Sequence, residues 1–99
     1  MDYEIIMSSR TLKEYKNAIS YYALNSYSAP TNFVTAIENA FGVLAKNPFF
    51  RIRYKNVRAL KVKRFPYLLY FVINENNHTV KILSCFHTKR NPERRPRIS

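Results

Sequence analysis

The sequence predicts an α+β fold in which two N-terminal helices pack on one face of a four-stranded, mainly antiparallel sheet, in the order β-α-α-β-β-β. Apolar residues recur at helical spacing in the first half of the chain and at strand spacing in the second half. The 99 residues, of which 46% are apolar, suffice for one compact domain, which we expect to span residues 1–99. Helices on one face would leave the other face of the sheet open.

The first half of the chain is predicted to form a short strand followed by a helix. Residues 3–7 make the strand, and Ser8 or Ser9 is placed to cap the helix after it. Thr11 and Glu14 form a second candidate capping box. A helix from about Thr11 to Leu24 is predicted by apolar residues three and four apart, namely Leu12, Tyr15, Ile19, Tyr22 and Ala23.

A second helix is predicted to begin at Ser28-Ala29-Pro30, because a Ser cap followed closely by Pro suits a first helical turn. It should end at Asn47-Pro48, since Pro disfavours helical geometry in the residue before it. Its apolar stripe consists of Phe33, Ile37, Ala40, Phe41 and Leu44. Residues 49–56 are then a basic, aromatic connection.

Three further strands are predicted after this connection. Residues 57–63 alternate with period two, which places Leu60 and Val62 on one face and Lys61 and Lys63 on the other, about 7 Å apart. After the break at Phe65-Pro66, three segments follow: a continuously apolar strand covered on both faces (67–73), a turn (74–78) and the last strand (79–87). A basic tail from about residue 88 has little to bury and is expected to be partly mobile.

Positive charge is concentrated in the second part of the chain. Residues 39–99 carry fourteen Lys and Arg against two Glu, whereas residues 1–38 carry three basic and four acidic side chains, for a net charge of +11 overall. Because these cations alternate with apolar residues, the sequence predicts a sheet with a cationic face suited to phosphate or to an acidic protein partner.

Several classes of protein are disfavoured by the composition. The single Cys85 cannot form a disulfide framework and is interpreted as a small buried apolar residue. No apolar stretch reaches the length of a membrane span, and no signal peptide is evident, so we expect a cytoplasmic protein. With two His, one Cys and one Gly, no metal spacing and no phosphate-cradling loop appears, and no cofactor is expected.

The chain resembles the RelE/ParE family, the toxins of bacterial type II toxin–antitoxin pairs, over nearly its whole length. The resemblance rests on the element order, on Ser9 leading into a helix with Tyr21-Tyr22 near its end, and on a second helix closing with Leu44 and Asn47-Pro48. Two segments carry most of its weight: residues 57–67 (VRALKVKRFPY) and the ending His87-Thr88-Lys89-Arg90-Asn91-Pro92.

The resemblance implies a growth-inhibiting toxin that an acidic antitoxin wraps and neutralises, in a homodimer or a hetero-oligomer. RelE-like members cleave messenger RNA, usually on the ribosome, whereas ParE-like members block DNA gyrase without cutting nucleic acid. The Phe-Pro-Tyr turn and the ending are closer to the ParE-like and plasmid-stabilisation side. Where the family often has an aromatic residue after the final Pro, this chain has Glu93, Arg94 and Arg95, so no tail contact is carried over.

Messenger RNA cleavage would need a base, an acid and positive charge at the scissile phosphate. His87 is the candidate acid or base, and the positive charge could come from Arg58 or Arg90, the candidate catalytic cations, or from Lys61, Lys63 or Arg64 if the strands bring them together. The alternative for His87 is a solvated or hydrogen-bonded residue that ends a strand. The candidate target-binding residues are Lys61, Lys63, Arg64 and Lys89.

Several basic and aromatic residues have two interpretations at the level of sequence. Lys61 and Lys63 have the simpler interpretation of a solvated strand face that protects the sheet from aggregation. Tyr54, Tyr67 and Tyr70 are candidates for stacking on bases, although core packing is favoured for Tyr70. A nontoxic nucleic-acid-binding module that uses the cationic sheet face is the alternative to a toxin.

Overall fold

The computed structural model describes residues 2–89, which form two helices and a five-stranded mixed sheet. The helices are α1 (Ser9–Asn25) and α2 (Ala29–Lys46). The strands are β1 (Glu4–Met7), β2 (Ile52–Tyr54), β3 (Val57–Lys61), β4 (Tyr67–Asn74) and β5 (Thr79–His87). The α+β class and the order of the predicted elements are confirmed, but the predicted number of four strands is wrong because β2 adds a fifth.

The strands lie in the order β1-β5-β4-β3-β2. β1 is parallel to β5, and every other neighbouring pair is antiparallel. β2 was missed although Ile52 and Tyr54 alternate with basic residues, because a strand of three residues is too short to be recognised alone, and its formation depends on pairing with Val57 and Arg58. The backbone reverses between β2 and β3 at Lys55, whose φ of 52° lies in the left-handed region.

The N-terminus of α1 is hydrogen-bonded to β5 and does not form the predicted capping box. Ser8 is the N-cap, and its Oγ accepts a hydrogen bond from the Thr11 amide at 3.1 Å. Thr11 Oγ1 donates to the Ile82 carbonyl at 2.8 Å, and Glu14 Oε1 accepts from the Cys85 amide at 3.0 Å. The predicted Thr11–Glu14 capping box is therefore wrong, because both side chains bind β5.

Ser28 occupies the N-cap position of α2, as predicted, but its side chain makes no capping hydrogen bond. Pro30 lies in the first turn, where its missing N–H leaves no helical hydrogen bond unmade. At the other end, the backbone leaves helical geometry at Asn47, immediately before Pro48. The predicted bounds of this helix are confirmed.

The core lies between the helices and one face of the sheet. Phe33, Ile37 and Leu44 of α2 are buried against Leu69 and Phe71 of β4. At one end of this core, aromatic rings of both helices and of the β3–β4 turn contact each other with centroids 5.2 to 5.3 Å apart, in the pairs Tyr22–Phe33, Tyr22–Phe65 and Phe33–Phe65. The turn is thereby anchored to the helices.

The sheet face away from the helices is not the predicted cationic surface. The register places Ala59 beside Tyr70 and Lys61 beside Leu68, in rows that alternate with core residues such as Leu69. Ala59 is buried, and so is Phe86, which pairs with Leu68. This face is therefore largely apolar. Tyr70, predicted to pack in the core, is half-buried on this face with its ring 6.1 Å from that of Phe86.

Two further differences affect the strands. β3 ends at Lys61, so Lys63 lies in the following turn and the predicted pairing of two lysines along one strand face is wrong. β4 is buried at alternate residues and half-buried between them, rather than covered fully on both faces. The bounds predicted for the last strand, 79–87, are confirmed. No helix among residues 2–89 is both long and apolar enough to cross a membrane.

Candidate functional site

The turn between β3 and β4 exposes two of the predicted target-binding cations. Lys63 and Arg64 both project from it with exposed side chains. Phe65 directly follows them, and its ring packs against Phe33 at 5.2 Å. Arg64 has a φ of 71°, in the left-handed region that costs a side-chain-bearing residue free energy. The packing of Phe65 therefore holds this turn in a shape that local preference does not favour.

Lys61 closes the same turn from the end of β3. Its Nζ donates to the Val62 carbonyl at 3.0 Å and to the Phe65 carbonyl at 2.7 Å. The ammonium group thus satisfies two carbonyls of the turn. Lys61 has a structural role here and adds positive charge to the site.

The end of β5 meets this turn. Thr88 donates to the Pro66 carbonyl through its amide at 2.9 Å and through its Oγ1 at 3.2 Å, and His87 pairs with Tyr67 in the register of the sheet. Five of the predicted site residues therefore lie at one end of the sheet. We call this surface the basic end, and it consists of Lys61, Lys63, Arg64, His87 and Lys89.

His87 is half-buried at the basic end. Its ring lies edge-on to Tyr67, with centroids 4.9 Å apart. Its Nδ1 accepts a hydrogen bond from the Lys89 amide at 3.1 Å, so this nitrogen presents a lone pair to the backbone. These contacts fix the ring orientation.

Arg58 is not part of the basic end. Its Nη1 donates to the Phe50 carbonyl at 2.7 Å, and its guanidinium lies 5.4 Å from the centroid of the Phe49 ring. Arg58 pairs with Phe71 and His87 pairs with Tyr67, so strand geometry separates Arg58 from His87 by about 16 Å at Cα. The third predicted catalytic residue, Arg90, lies outside the described residues, as does the rest of the predicted tail from that position on.

Sequence reasoning missed a groove between α2 and β3 that adjoins the basic end. We call it the α2–β3 groove. It has a volume of about 560 Å³. The side chains that line it are Asn32, Thr35, Ala36, Asn39, Ala40, Val43, Leu60, Lys61, Lys63, Arg64 and Phe65. The helical spacing of Asn32, Thr35 and Asn39 was the available signal, because it puts three uncharged polar side chains on one line along α2.

Cys85 is buried, as predicted, and its chemistry is suppressed. Burial, reinforced by the Glu14 carboxylate, raises the pKa of the thiol from 9.0 to about 12. The thiolate is the nucleophilic form of cysteine, so Cys85 is not a nucleophile near neutral pH. Within the described part of the chain, no group of three or more His, Cys, Asp or Glu side chains is placed to hold a metal ion.

Comparison with known proteins identifies the family. No curated protein matches the chain in a sequence search. Among solved structures, one described as the chromosomal ParDE toxin–antitoxin system from P. aeruginosa is similar, with a TM-score of 0.73 and 16% identity, over 86% of this chain and 95% of that one. This likeness shows the fold. The family model for the ParE toxin of the type II toxin–antitoxin system parDE matches residues 5–92, so the chain belongs to the ParE toxin family.

Proposed function

We propose that this ParE-family toxin inhibits bacterial growth by binding DNA gyrase, without cutting nucleic acid, and that an acidic antitoxin neutralises it. In this proposal the target contacts the exposed cations of the basic end, Lys63, Arg64 and Lys89, and His87 is not needed for that contact. Lys63 and Arg64 project from an anchored turn, and Lys89 lies beside them at the end of β5. A fixed array of exposed cations suits recognition of an acidic surface.

The match of residues 5–92 to the ParE toxin family carries the proposal of a noncatalytic mechanism, and the position of Arg58 removes one candidate cation from any nuclease site around His87. A nuclease would need its acid or base and its cation on the same phosphate, within hydrogen-bond reach. Arg58 instead binds the Phe50 carbonyl at 2.7 Å and is about 16 Å from His87 at Cα by strand geometry. These contacts support a role for Arg58 in holding the connection between α2 and β2 against the sheet.

Two assays with His87→Ala test this proposal. The purified protein should abolish supercoiling by purified gyrase, and induction in a host should slow growth without creating new RNA ends. His87→Ala should keep most of the inhibition, because in this mechanism the imidazole transfers no proton. Since His87 contacts Tyr67, the melting temperature of the variant must be measured alongside.

Two other outcomes of these assays would indicate a different function. New RNA ends after induction, lost in His87→Ala while the fold is retained, would replace the proposal with a ribosome-dependent endoribonuclease. A host that grows normally on induction of the chain would end the toxin proposal, and nucleic-acid binding by the same cations would then be the function to test.

A further inference from the structure

We infer that the surface around β2 binds single-stranded nucleic acid, at a place separate from the basic end. We call it the β2 surface, and it consists of Arg51, Arg53, Tyr54 and Lys55. The inference goes beyond the proposed function and does not depend on it. The strand register, the exposure of the tyrosine ring and the charge around that ring each support it.

A β-bulge in β2 brings the ring of Tyr54 and the charge of Arg53 to the same face. Ile52 pairs with Arg58 and Tyr54 pairs with Val57, so two steps along β2 correspond to one step along β3. Neighbouring residues of β3 lie on opposite faces of the sheet, so Tyr54 lies on the face opposite to Ile52. Arg53, which follows Ile52 in the alternation, lies on that face too. Without the bulge, Tyr54 would share the face of Ile52 instead.

The ring of Tyr54 is accessible to a base. β2 is the edge strand of the sheet, and Tyr54 is 48% exposed. The other two tyrosines that the sequence offers for stacking are less accessible, because Tyr67 is buried and Tyr70 is half-buried with its ring 6.1 Å from that of Phe86. Tyr54 therefore has the open aromatic face that stacking on a base requires.

Cations surround this ring without carboxylates next to them in the sequence. Residues 49–58 contain three Arg and one Lys, and no Asp or Glu. Arg51, Arg53 and Lys55 are exposed, and the ion pair described within residues 2–89 joins Arg10 to Glu14 instead. Three accessible charges beside an open ring suit the alternating phosphates and bases of a single strand.

Lys55 is placed to hold a phosphate next to a base stacked on Tyr54. Its Nζ lies 5.4 Å from the centroid of the Tyr54 ring. Lys55 is also the first residue of the two-residue turn to Val57, and its φ of 52° is one that favours Gly. A lysine here costs conformational free energy that Gly would not, and it adds a cation at the tip of the hairpin.

A single strand fits the β2 surface better than two other acidic partners do. An acidic protein segment would pair with the cations but has no need for the ring of Tyr54. In a duplex the bases stack on one another and their faces are not accessible to the ring. The combination of ring and charge therefore favours an unpaired strand.

The β2 surface and the basic end lie at opposite ends of β3. Val57 directly follows the hairpin turn, and Lys61 at the other end of the strand belongs to the basic end, about 13 Å away at Cα by strand geometry. Nucleic acid on the β2 surface therefore leaves Lys63 and Arg64 accessible. One molecule can hold a nucleic acid and a protein target at the same time.

Binding of labelled oligonucleotides to the purified full chain tests the inference. The probes are oligothymidine DNA and oligouridine RNA of about fifteen nucleotides, and a DNA duplex of the same length. At about 0.1 M salt, at least one single strand should bind, and the duplex should bind at least about fivefold more weakly. Tighter binding of the DNA or of the RNA supports the inference in either case and identifies the kind of strand.

Substitutions of Tyr54 test the stacking contact. Tyr54→Ala should weaken binding of the single strand at least about fivefold, because the stacking face is lost. Tyr54→Phe keeps that face and should weaken binding less than about twofold. The melting temperatures of both variants should be measured alongside, to show that the fold is retained.

The salt dependence of binding separates direct phosphate contacts from the general positive charge of the chain. Lys55→Gly suits the local backbone and removes one charge, so it should make the slope of log K against log salt concentration shallower by about 0.7. Arg51→Gln with Arg53→Gln should make it shallower by about 1.4. Lys13→Gln with Lys16→Gln removes two exposed charges from α1 and is the matched control, which should change the slope by less than about 0.3.

Four results would overturn the inference. They are no binding of either single strand at about 100 μM, equal binding of the duplex, unchanged affinity in Tyr54→Ala, and equal changes of slope in the two double variants. An acidic peptide that displaces the strand as well as an unlabelled oligonucleotide of equal charge does would also overturn it, because charge alone would then suffice.

These measurements use neither gyrase nor a host cell. The proposed action on gyrase uses the basic end, so a failure to bind oligonucleotides leaves that proposal untouched. A failure to inhibit gyrase would likewise leave the oligonucleotide result standing.

Discussion

At the scale of single residues, polar groups are used mainly to join elements. Glu14 accepts from the Ser84 hydroxyl at 2.8 Å and from the Cys85 amide at 3.0 Å, and Arg58 donates to the Phe50 carbonyl at 2.7 Å. No buried side-chain nitrogen or oxygen in the described part of the chain lacks a hydrogen-bond partner. Two charged residues that the sequence offers as functional candidates, Arg58 and Lys61, therefore have a structural role, because each donates to backbone carbonyls.

The titration of Cys85 gives a test at this scale. Between pH 9 and about 12 the unfolded chain releases the thiol proton while the folded chain keeps it, so ionisation favours unfolding and stability falls as the pH rises through this range. Cys85→Ala lacks this contribution and should lose less stability than the wild type over the same interval. Chemical unfolding at several pH values measures the difference.

The two proteins share every tyrosine and lysine, so the difference between their curves isolates the thiol. Parallel curves for wild type and Cys85→Ala would contradict the account. The account would also be contradicted if the Cys85 thiol of the native protein reacted with an alkylating reagent as fast as that of the denatured protein.

At the scale of elements, the start of α1 forms hydrogen bonds with the part of β5 that does not pair with β1. β1 pairs with Thr79 to Ile82 only. Beyond this point the register of β5 with β4 shifts, because Tyr70 pairs with Ser84 and Phe71 with Ile82, which leaves Leu83 between them. The Leu83 carbonyl accepts from Ser8 Oγ at 3.2 Å. The start of α1 therefore supplies hydrogen bonds that a neighbouring strand would otherwise make.

Replacing Thr11 with Val tests the junction between α1 and β5. Thr11 is buried, and its Oγ1 donates to the Ile82 carbonyl at 2.8 Å. Thr11→Val keeps the shape but removes this hydrogen bond, while the carbonyl keeps the Ser8 amide as a donor at 2.9 Å, so the change should cost about 1 kcal/mol in the free energy of unfolding. Urea unfolding of the variant, beside the wild type, measures the cost.

Thr35→Val is the matched control. Thr35 is exposed on α2 and has no hydrogen bond among the described side-chain contacts, so its replacement should change stability by less than about 0.5 kcal/mol. Equal effects of the two substitutions would show that the Thr11 bond does not secure α1 to β5.

The sequence predicts elements well where their signal is local. Apolar runs and the residues that interrupt them predict the bounds of α2, β4 and β5. Pro48 follows the end of α2, Pro66 precedes β4, and the asparagine-rich turn separates β4 from β5. The prediction fails where pairing decides, as for Ile52–Tyr54, whose strand exists only beside β3. The cationic face was mispredicted for a related reason: Lys63 falls after the end of β3, and the alternation along the chain does not show where a strand stops.

At the scale of the whole molecule, the described site cations lie at one end of the sheet rather than on one face, while Arg51, Arg53 and Lys55 lie beside the start of β3. The predicted site residues in β3, its turn and β5 converge because β4 lies between these strands and because Thr88 binds the Pro66 carbonyl. This convergence could not be derived from sequence, since the strand order was open. The single ion pair described within residues 2–89 joins Arg10 to Glu14, so most of the cations are available to steer an acidic partner.

The most direct test of the central claim compares two double variants in a gyrase supercoiling assay. Lys63→Gln with Arg64→Gln removes two exposed charges from the basic end, and Arg51→Gln with Arg53→Gln removes two exposed charges at β2. We predict that the first pair weakens inhibition at least about tenfold and the second less than about threefold, because a positioned contact is lost only in the first. Equal losses in both pairs, or full inhibition by the first, would contradict the account.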